Sequence, residues 1–405
     1  MKRLSKAITC LLLCTLLVGC SGRRELNDVL LVSSVGVDAG KNGKTDVHIQ
    51  VVHAGGTAGN QGGAPSGGVG GSVYTYTVSG RTVYDALQIA GRIAPRYLVY
   101  SHINSVIVGE EYAKKVGLKP MFDFMERNYE FRETVPVFIA TRTTAKEVLS
   151  MYTAIFKIPS ESLQNRLISS AMTTGFSNVV MEKDIVRQLY GEHTDPVIPG
   201  VRIYKPSKDD GNMSNLSDIR ANNKNFIMTG LAVFNKDHFK RWMTYKESEA
   251  WTLAKGRARA VTLMTNSCPN RKKGHLAYVA KSIHSKLKPN IHGKDVTFTI
   301  SISGKGYLQE VTCNMVTGNP KTLTKIEKLV SDEMKKNINT MIHRAKKDKV
   351  DILGLGQMLY ETNPVLWRQK RQQDKSLSQF NIKVHVDMKL ETTGARIESV
   401  NDQKK

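Results

Sequence analysis

Apolar and polar positions alternate in several short stretches of this chain, and the alternation predicts strands. Asp46–His53 (DVHIQVVH) and Val73–Val78 (VYTYTV) place apolar side chains at every second residue, the period of a half-buried strand. Val29–Val37 (VLLVSSVGV) is apolar almost throughout and predicts a strand buried on both faces. Ser101–Val108, Val135–Ala140 and Phe226–Phe234 predict three more strands. Val296, Phe298, Ile300 and Ile302 alternate cleanly, as do Phe380, Ile382, Val384, Val386, Met388 and Leu390.

Elsewhere the period shifts toward 3.6. Thr82–Ala94 puts Val83, Leu87, Ala90 and Ala94 on one face and predicts a helix. Shorter helices are predicted over Glu110–Lys115, Pro120–Tyr129, Thr144–Met151, Ser160–Met172, Asn178–Tyr190 and Lys246–Lys255. The longest signal runs from Lys321 to Lys347, where Leu323, Ile326, Leu329, Val330, Met334, Ile338, Met341, Ile342 and Ala345 form one stripe. Its opposite face carries Lys325, Lys328, Lys335, Lys336, Arg344, Lys346 and Lys347. A membrane-surface helix has this pattern. So does a core-packed helix with a solvated face, the commoner case. Mixed strands and helices give an α+β, multidomain fold, with mixed or antiparallel sheets and helices packed on them.

Two stretches break the pattern. Ala54–Ser72 holds nine glycines in 19 residues and reads as a loop between strands, since neither a Gly-Lys-Ser/Thr end nor a following helix makes it a phosphate cradle. Residues 206–223 are polar and read as a linker or surface loop. This divides the chain into an N-terminal region, 20–205, and a C-terminal region, 224–400, of which the long helix is part.

The start of the chain has its own logic. Lys2, Arg3 and Lys6 precede the apolar run Ala7–Val18, which is too short to cross a bilayer. A basic start, a short apolar run and a small residue at the cut mark residues 1–19 as a signal peptide. Leu17-Val18-Gly19-Cys20 resembles the lipobox of bacterial lipoproteins, in which Cys20 would take a diacylglyceryl lipid on its sulfur. Two acyl chains hold a protein stably at a membrane where one holds it only marginally.

Charge then narrows the partners. The chain carries 59 Lys+Arg against 36 Asp+Glu, a net +23, and loses only three of these charges with the signal. Such an excess favours an anionic surface, and for an exported, anchored protein that surface is the headgroup layer. Nucleic acid is the other usual partner of a basic chain, but export argues against it and no nucleic-acid motif is present. Cys10 and Cys14 leave with the signal, so Cys268 and Cys313 remain besides Cys20. Outside the cytoplasm a disulfide between them is open, and so are two separate buried thiols.

Candidate chemistry is thin. No metal-ligand spacing, GxSxG elbow or phosphate-binding motif occurs, and no cofactor is expected beyond the covalent lipid. Ser285-Lys286-Leu287-Lys288 matches the SxxK of acyl-transfer serine enzymes, but the companion SDN and KTG motifs are missing. His102 after Ser101 reads as a hydrogen-bonded strand-end histidine. Glu110, Glu111, Asp123 and Glu126 read as helix-start and helix-face carboxylates. Nothing here requires an enzyme.

Several blocks together resemble one family. Gly19–Asp38 (GCSGRRELNDVLLVSSVGVD) is similar to the start of GerAC-type, or Ger(x)C, spore germination lipoproteins, with Arg23, Arg24, Glu25, Leu26, Asn27 and Asp28 in place. Ser21-Gly22 stands where the family has Trp-Asp. APRYLVYSHINSVIVGEEYAKKVGL, FDFMERNYEFRETVPVFIA, GLAVFNKDHFKRWMTYKESEAWTLAKG and KKDKVDILGLGQMLYETNPVLW follow in the family's order, with Asn128 at a usual aspartate. The resemblance implies three small α/β domains and a non-enzymatic C subunit of a nutrient germinant receptor. That subunit would sit lipid-anchored on the outer face of the spore inner membrane, with integral-membrane A and B subunits. Its contribution would be assembly or signal relay. Arg23, Arg24, Glu25 and Asp28, beside the anchor, are candidates for contact with headgroups or a partner subunit. Gly354 and Gly356 are expected to serve a turn or close packing. The alternative is a solute-binding lipoprotein of a transporter, which would need two similar lobes around a deep cleft.

Overall fold

The computed structural model describes residues 28–52, 73–153, 156, 158–191, 194–204, 225–266, 268–269, 274–313, 315, 319–373 and 380–392. The signal, Cys20, Arg23, Arg24, Glu25, the glycine-rich stretch 54–72 and residues 206–223 lie outside them.

Among the described residues the first sheet has nine strands. Its centre is β1 (Val29–Ala39), β5 (Ser105–Gly109), β6 (Val137–Ala140) and β7 (Val197–Tyr204), all parallel, with β4 (Tyr97–Val99) also parallel to β1. Beyond β1 lie β2 (Thr45–Val52) and β3 (Val73–Gly80); beyond β7 lie β8 (Asn225–Asn235) and β9 (His238–Trp242), all antiparallel to their neighbours. Helices cover both faces of the parallel centre, so its strands are apolar at successive positions. Val106, Val108, Val137 and Ile139 face α1 (Val83–Ile93), α2 (Glu110–Lys115), α3 (Lys119–Arg127) and α6 (Glu182–Gly191). Ile107, Phe138 and Ala140 face α4 (Ala145–Leu149) and α5 (Pro159–Thr173).

The helices start where their caps allow. Thr82 accepts from Asp85 N–H to open α1, and Thr144 with Glu147 forms a capping box for α4. Thr244 and Glu247 do the same for α7 (Tyr245–Ala254).

The second sheet runs β10 (Val261–Thr265), β11 (Leu276–His292), β12 (Asp295–Val311), β13 (Asn381–Thr392). β11 and β12 form a long hairpin that turns at Gly293, whose φ of 62° suits glycine. β13 joins β12 in parallel after a crossover through α8 (Pro320–Asp348), α9 (Leu355–Thr362) and α10 (Pro364–Gln373). α8 begins at Asn319, whose side chain caps Lys321 N–H, and ends at Lys349 in the left-handed conformation. Ile326, Val330, Met334, Ile338, Met341, Ile342 and Ala345 bury its apolar stripe against the sheet. The core-packed reading of this helix therefore holds.

The α+β, multidomain expectation is met, among the described residues, by two sheets with three apolar cores. The segment 206–223, read as a linker or surface loop, falls between β7 and β8, which pair from Val197↔Val233 to Tyr204↔Asn225. That segment joins neighbours within one sheet, and Val197, Leu231 and Val233 also enter the core of the second unit. The strand expected over Ser101–Val108 starts only at Ser105, after a turn. The helix expected from Asn178 starts at Glu182, because Val180 and Met181 first pair alongside β6, Val180 C=O accepting from Val137 N–H.

Candidate functional site: the junction of the two units

The residues singled out for chemistry do not meet. Ser285 and Lys288 lie on strand β11, three positions apart and so on opposite faces; Ser285 Oγ donates to Ala254 C=O. The SxxK reading has no site. Ser101 Oγ and His102 Nδ1 are 3.0 Å apart in an exposed turn. Glu111 pairs with Lys114 and Lys115, and Asp123 pairs with Arg127 one turn along α3. Glu110 accepts from Thr141 Oγ1, Trp242 Nε1 and Lys114 Nζ; burial pushes its carboxyl up, but these donors outweigh burial and hold it below the usual range. Asp28 is exposed just ahead of β1. Among the described residues no three His, Cys, Asp or Glu gather as a metal site.

What the fold does bring together is a polar junction. Asp351 follows α8 and sits in the loop before α9. Its Oδ1 accepts from the N–H groups of Leu353, Gly354 and Leu355, and its Oδ2 from Gly356, at 2.7–3.2 Å. Gly354 takes φ 71°, which lets the chain double back over the carboxylate. Asp351 N–H donates to Asp195 Oδ2, while Asp351 C=O accepts from Asp195 N–H and Thr194 Oγ1. Asp195 Oδ1 accepts in turn from Lys236 N–H, in the β8–β9 turn. Trp251 Nε1 donates to Ile352 C=O and Lys255 Nζ to Leu353 C=O. One short loop is thus bound to the approach to β7, to the β8–β9 turn and to α7. Burial pushes Asp351 up to about 6 despite its four N–H donors, and raises Asp195 as well.

A second clamp lies beside it. Arg241 on β9 pairs with Glu247 on α7 at 3.1 Å and with Asp348 at the end of α8. Arg344 on α8 reaches the same Glu247 at 2.7 Å, and Glu247 is only 3% exposed. Truncating one partner of so buried a pair leaves an uncompensated charge.

Two further features stand apart. A cleft of about 790 Å³ opens between α1 and α3, walled by Tyr84, Phe124, Tyr97 and Tyr129. Cys268 and Cys313 are joined as a disulfide, with Cα atoms 5.8 Å apart. This settles the open choice: the β10–β11 connection and the end of β12 bring the two sulfurs together, a proximity that sequence spacing could not show.

Comparison with known proteins decides the family. Residues 22–203 match the N-terminal domain of spore germination proteins, and residues 229–394 match the C-terminal domain described as spore germination B3/GerAC like. The chain belongs to the GerAC family of spore germination proteins. Its GerAC relatives match along nearly their whole length. Spore germination protein KC of Bacillus subtilis is 28% identical over 98% of this chain and 97% of its own. The putative spore germination protein YfkR of Bacillus subtilis is 27% identical over 87% of each chain, and GerQC of Bacillus cereus 22% over 95% of this chain and 97% of its own. The crystal structure of the GerBC protein shares the fold, with a TM-score of 0.53 at 14% identity over 88% of this chain and 96% of that one. The Asp-Ile-x-Gly-x-Gly block that carried part of the resemblance is the Asp351 loop of the junction. Its partner Asp195, 156 residues earlier, gave no signal in sequence.

Proposed function

We propose that this chain is the lipid-anchored, non-enzymatic C subunit of a spore nutrient germinant receptor, acting with integral-membrane A and B subunits in assembly or signal relay. The observation that carries this reading is the match to both family domains in order, over nearly the whole length of relatives named as spore germination proteins. The junction supports the relay half of the proposal, because a load on one unit passes to the other through paired backbone and clamped charges. The disulfide supports a place outside the cytoplasm, where such bonds persist. Anchoring is assigned to Cys20 and its diacylglyceryl lipid, on the lipobox Leu17-Val18-Gly19-Cys20. Arg23, Arg24, Glu25 and Asp28 would then lie within a few residues of the headgroups, for contact with them or with a partner subunit. No cofactor is invoked.

A transporter's binding lipoprotein needs two similar lobes. Here one unit is built on a mixed nine-stranded sheet and the other on a four-stranded sheet under one long helix.

Spores lacking the gene should fail to germinate on at least one class of nutrient while still responding to calcium dipicolinate, which bypasses receptors. Normal germination on every nutrient would count against the assignment. The Cys20→Ala chain should fold and leave the membrane fraction; its complete retention there would remove lipid from the anchoring argument.

A further inference from the structure

The outer face of the second sheet is solvent-facing and basic. Phe298, Ile300, Ile302, Val384 and Met388 turn inward under α8, so the alternate residues of β11, β12 and β13 turn out. Strand register sets these in rows. Lys281, Lys305 and Lys389 lie directly opposite one another across the three strands. Further along, Lys286 and His385 flank Ser301, and Lys288 and Lys383 flank Thr299. Two columns rich in lysine and histidine therefore border a column of hydroxyls on the central strand, and all of these lysines are exposed.

Little balances this charge. Lys389 reaches Glu327 and Asp387 at 3.4 and 3.3 Å, and Lys281 lies over the Tyr307 ring. Among the described residues Lys286, Lys288, Lys305 and Lys383 form no ion pair. Like charges placed opposite or near one another on a sheet face repel. The Lys286 ammonium accordingly holds that of Lys288 below its ordinary value. An anion laid across the face would relieve this repulsion.

We propose that this sheet face docks on the anionic phospholipid headgroups of a bilayer. Composition favours a lipid surface over a protein. Protein interfaces are enriched in arginine and aromatic residues and depleted in lysine, whereas this face is built from lysine, histidine and small hydroxyl residues. Its chemistry is that of a polybasic patch, in which each lysine near an anionic leaflet strengthens binding roughly fivefold. The disulfide in the same unit fits an oxidising compartment outside the cytoplasm, away from most nucleic acid. A lipid tether elsewhere on the chain adds to such a patch by raising its effective concentration at the surface. The proposal deepens the membrane-bound reading above, but does not need Cys20 to be lipidated.

The test uses the full mature chain with Cys20→Ala, so that no lipid is attached. It should sediment with vesicles of phosphatidylglycerol and phosphatidylcholine, but not with phosphatidylcholine alone, and added salt should weaken it. Lys286→Thr/Lys288→Thr/Lys383→Thr should weaken binding roughly a hundredfold with an unchanged melting temperature. The milder pair Lys286→Gln/Lys383→Gln, read alongside, should lose roughly twentyfold. Lys335→Gln/Lys336→Gln, on the solvent side of α8 and so on the far side of the unit, should stay within about twofold. No binding to the anionic vesicles would overturn the proposal. So would equal losses in the sheet and helix variants, which would mean net charge alone, or tighter binding to duplex DNA at the same salt.

Discussion

At the scale of single residues, the fold keeps several carboxyls out of water. Glu182 is pushed up to about 7 by burial and by Glu126 and Glu133, Glu249 to about 7 by burial, and Asp351 to about 6. A carboxyl whose folded value lies above its unfolded value, near 4, favours the folded state when protonated. That contribution is complete below about pH 4 and lost as pH rises through 6 to 7. Melting temperature should therefore rise as pH falls from about 8 to about 5. Glu182→Gln should raise the melting point at the alkaline end and flatten the profile. A profile identical to that of the unmodified chain would mean that Glu182 is not shifted. Residues of this kind were poorly legible in the sequence. Asp351 announced its glycines but not its partner, and the buried state of Glu182 comes from packing of α6 against the first sheet, which no local pattern encodes.

Elements were far more legible, and the exceptions have physical causes. β1, β2, β3 and α8 carry strong periods because one or both faces are buried along their length. β4 has only three residues, too few for a period. β11 carries only a weak apolar period, because its inward positions beyond Ala280 are only half-buried and include Ser285 and Pro289. What holds that hairpin at its base is the disulfide, which spans 45 residues. In the chain-entropy account, closing a loop of that size contributes about 4 kcal/mol. Cys268→Ser/Cys313→Ser should lower stability by an amount of that order in denaturant titration, and reductant should do the same to the unmodified chain but not to the variant. Equal sensitivity to reductant in both would assign the effect elsewhere.

At the scale of the whole molecule, the two matched family domains are not two independent bodies. β7 belongs to the first and β8 to the second, yet they are neighbours in one sheet, and the Asp351 loop and Arg241 fasten that sheet to α7 and α8. Composition turns polar over 206–223, between the two matched domains, while the strands on either side of it, β7 and β8, are neighbours in one sheet. Such a shared sheet makes the molecule a natural candidate for split-protein complementation. Two polypeptides divided within 206–223 would each expose an unpaired strand edge made to fit the other, with Asp195 on one piece and its partner Asp351 on the other. Co-expressed, they should reassemble and co-purify as one particle; expressed alone, each should aggregate. A cut at this point would sever the chain without dividing the body.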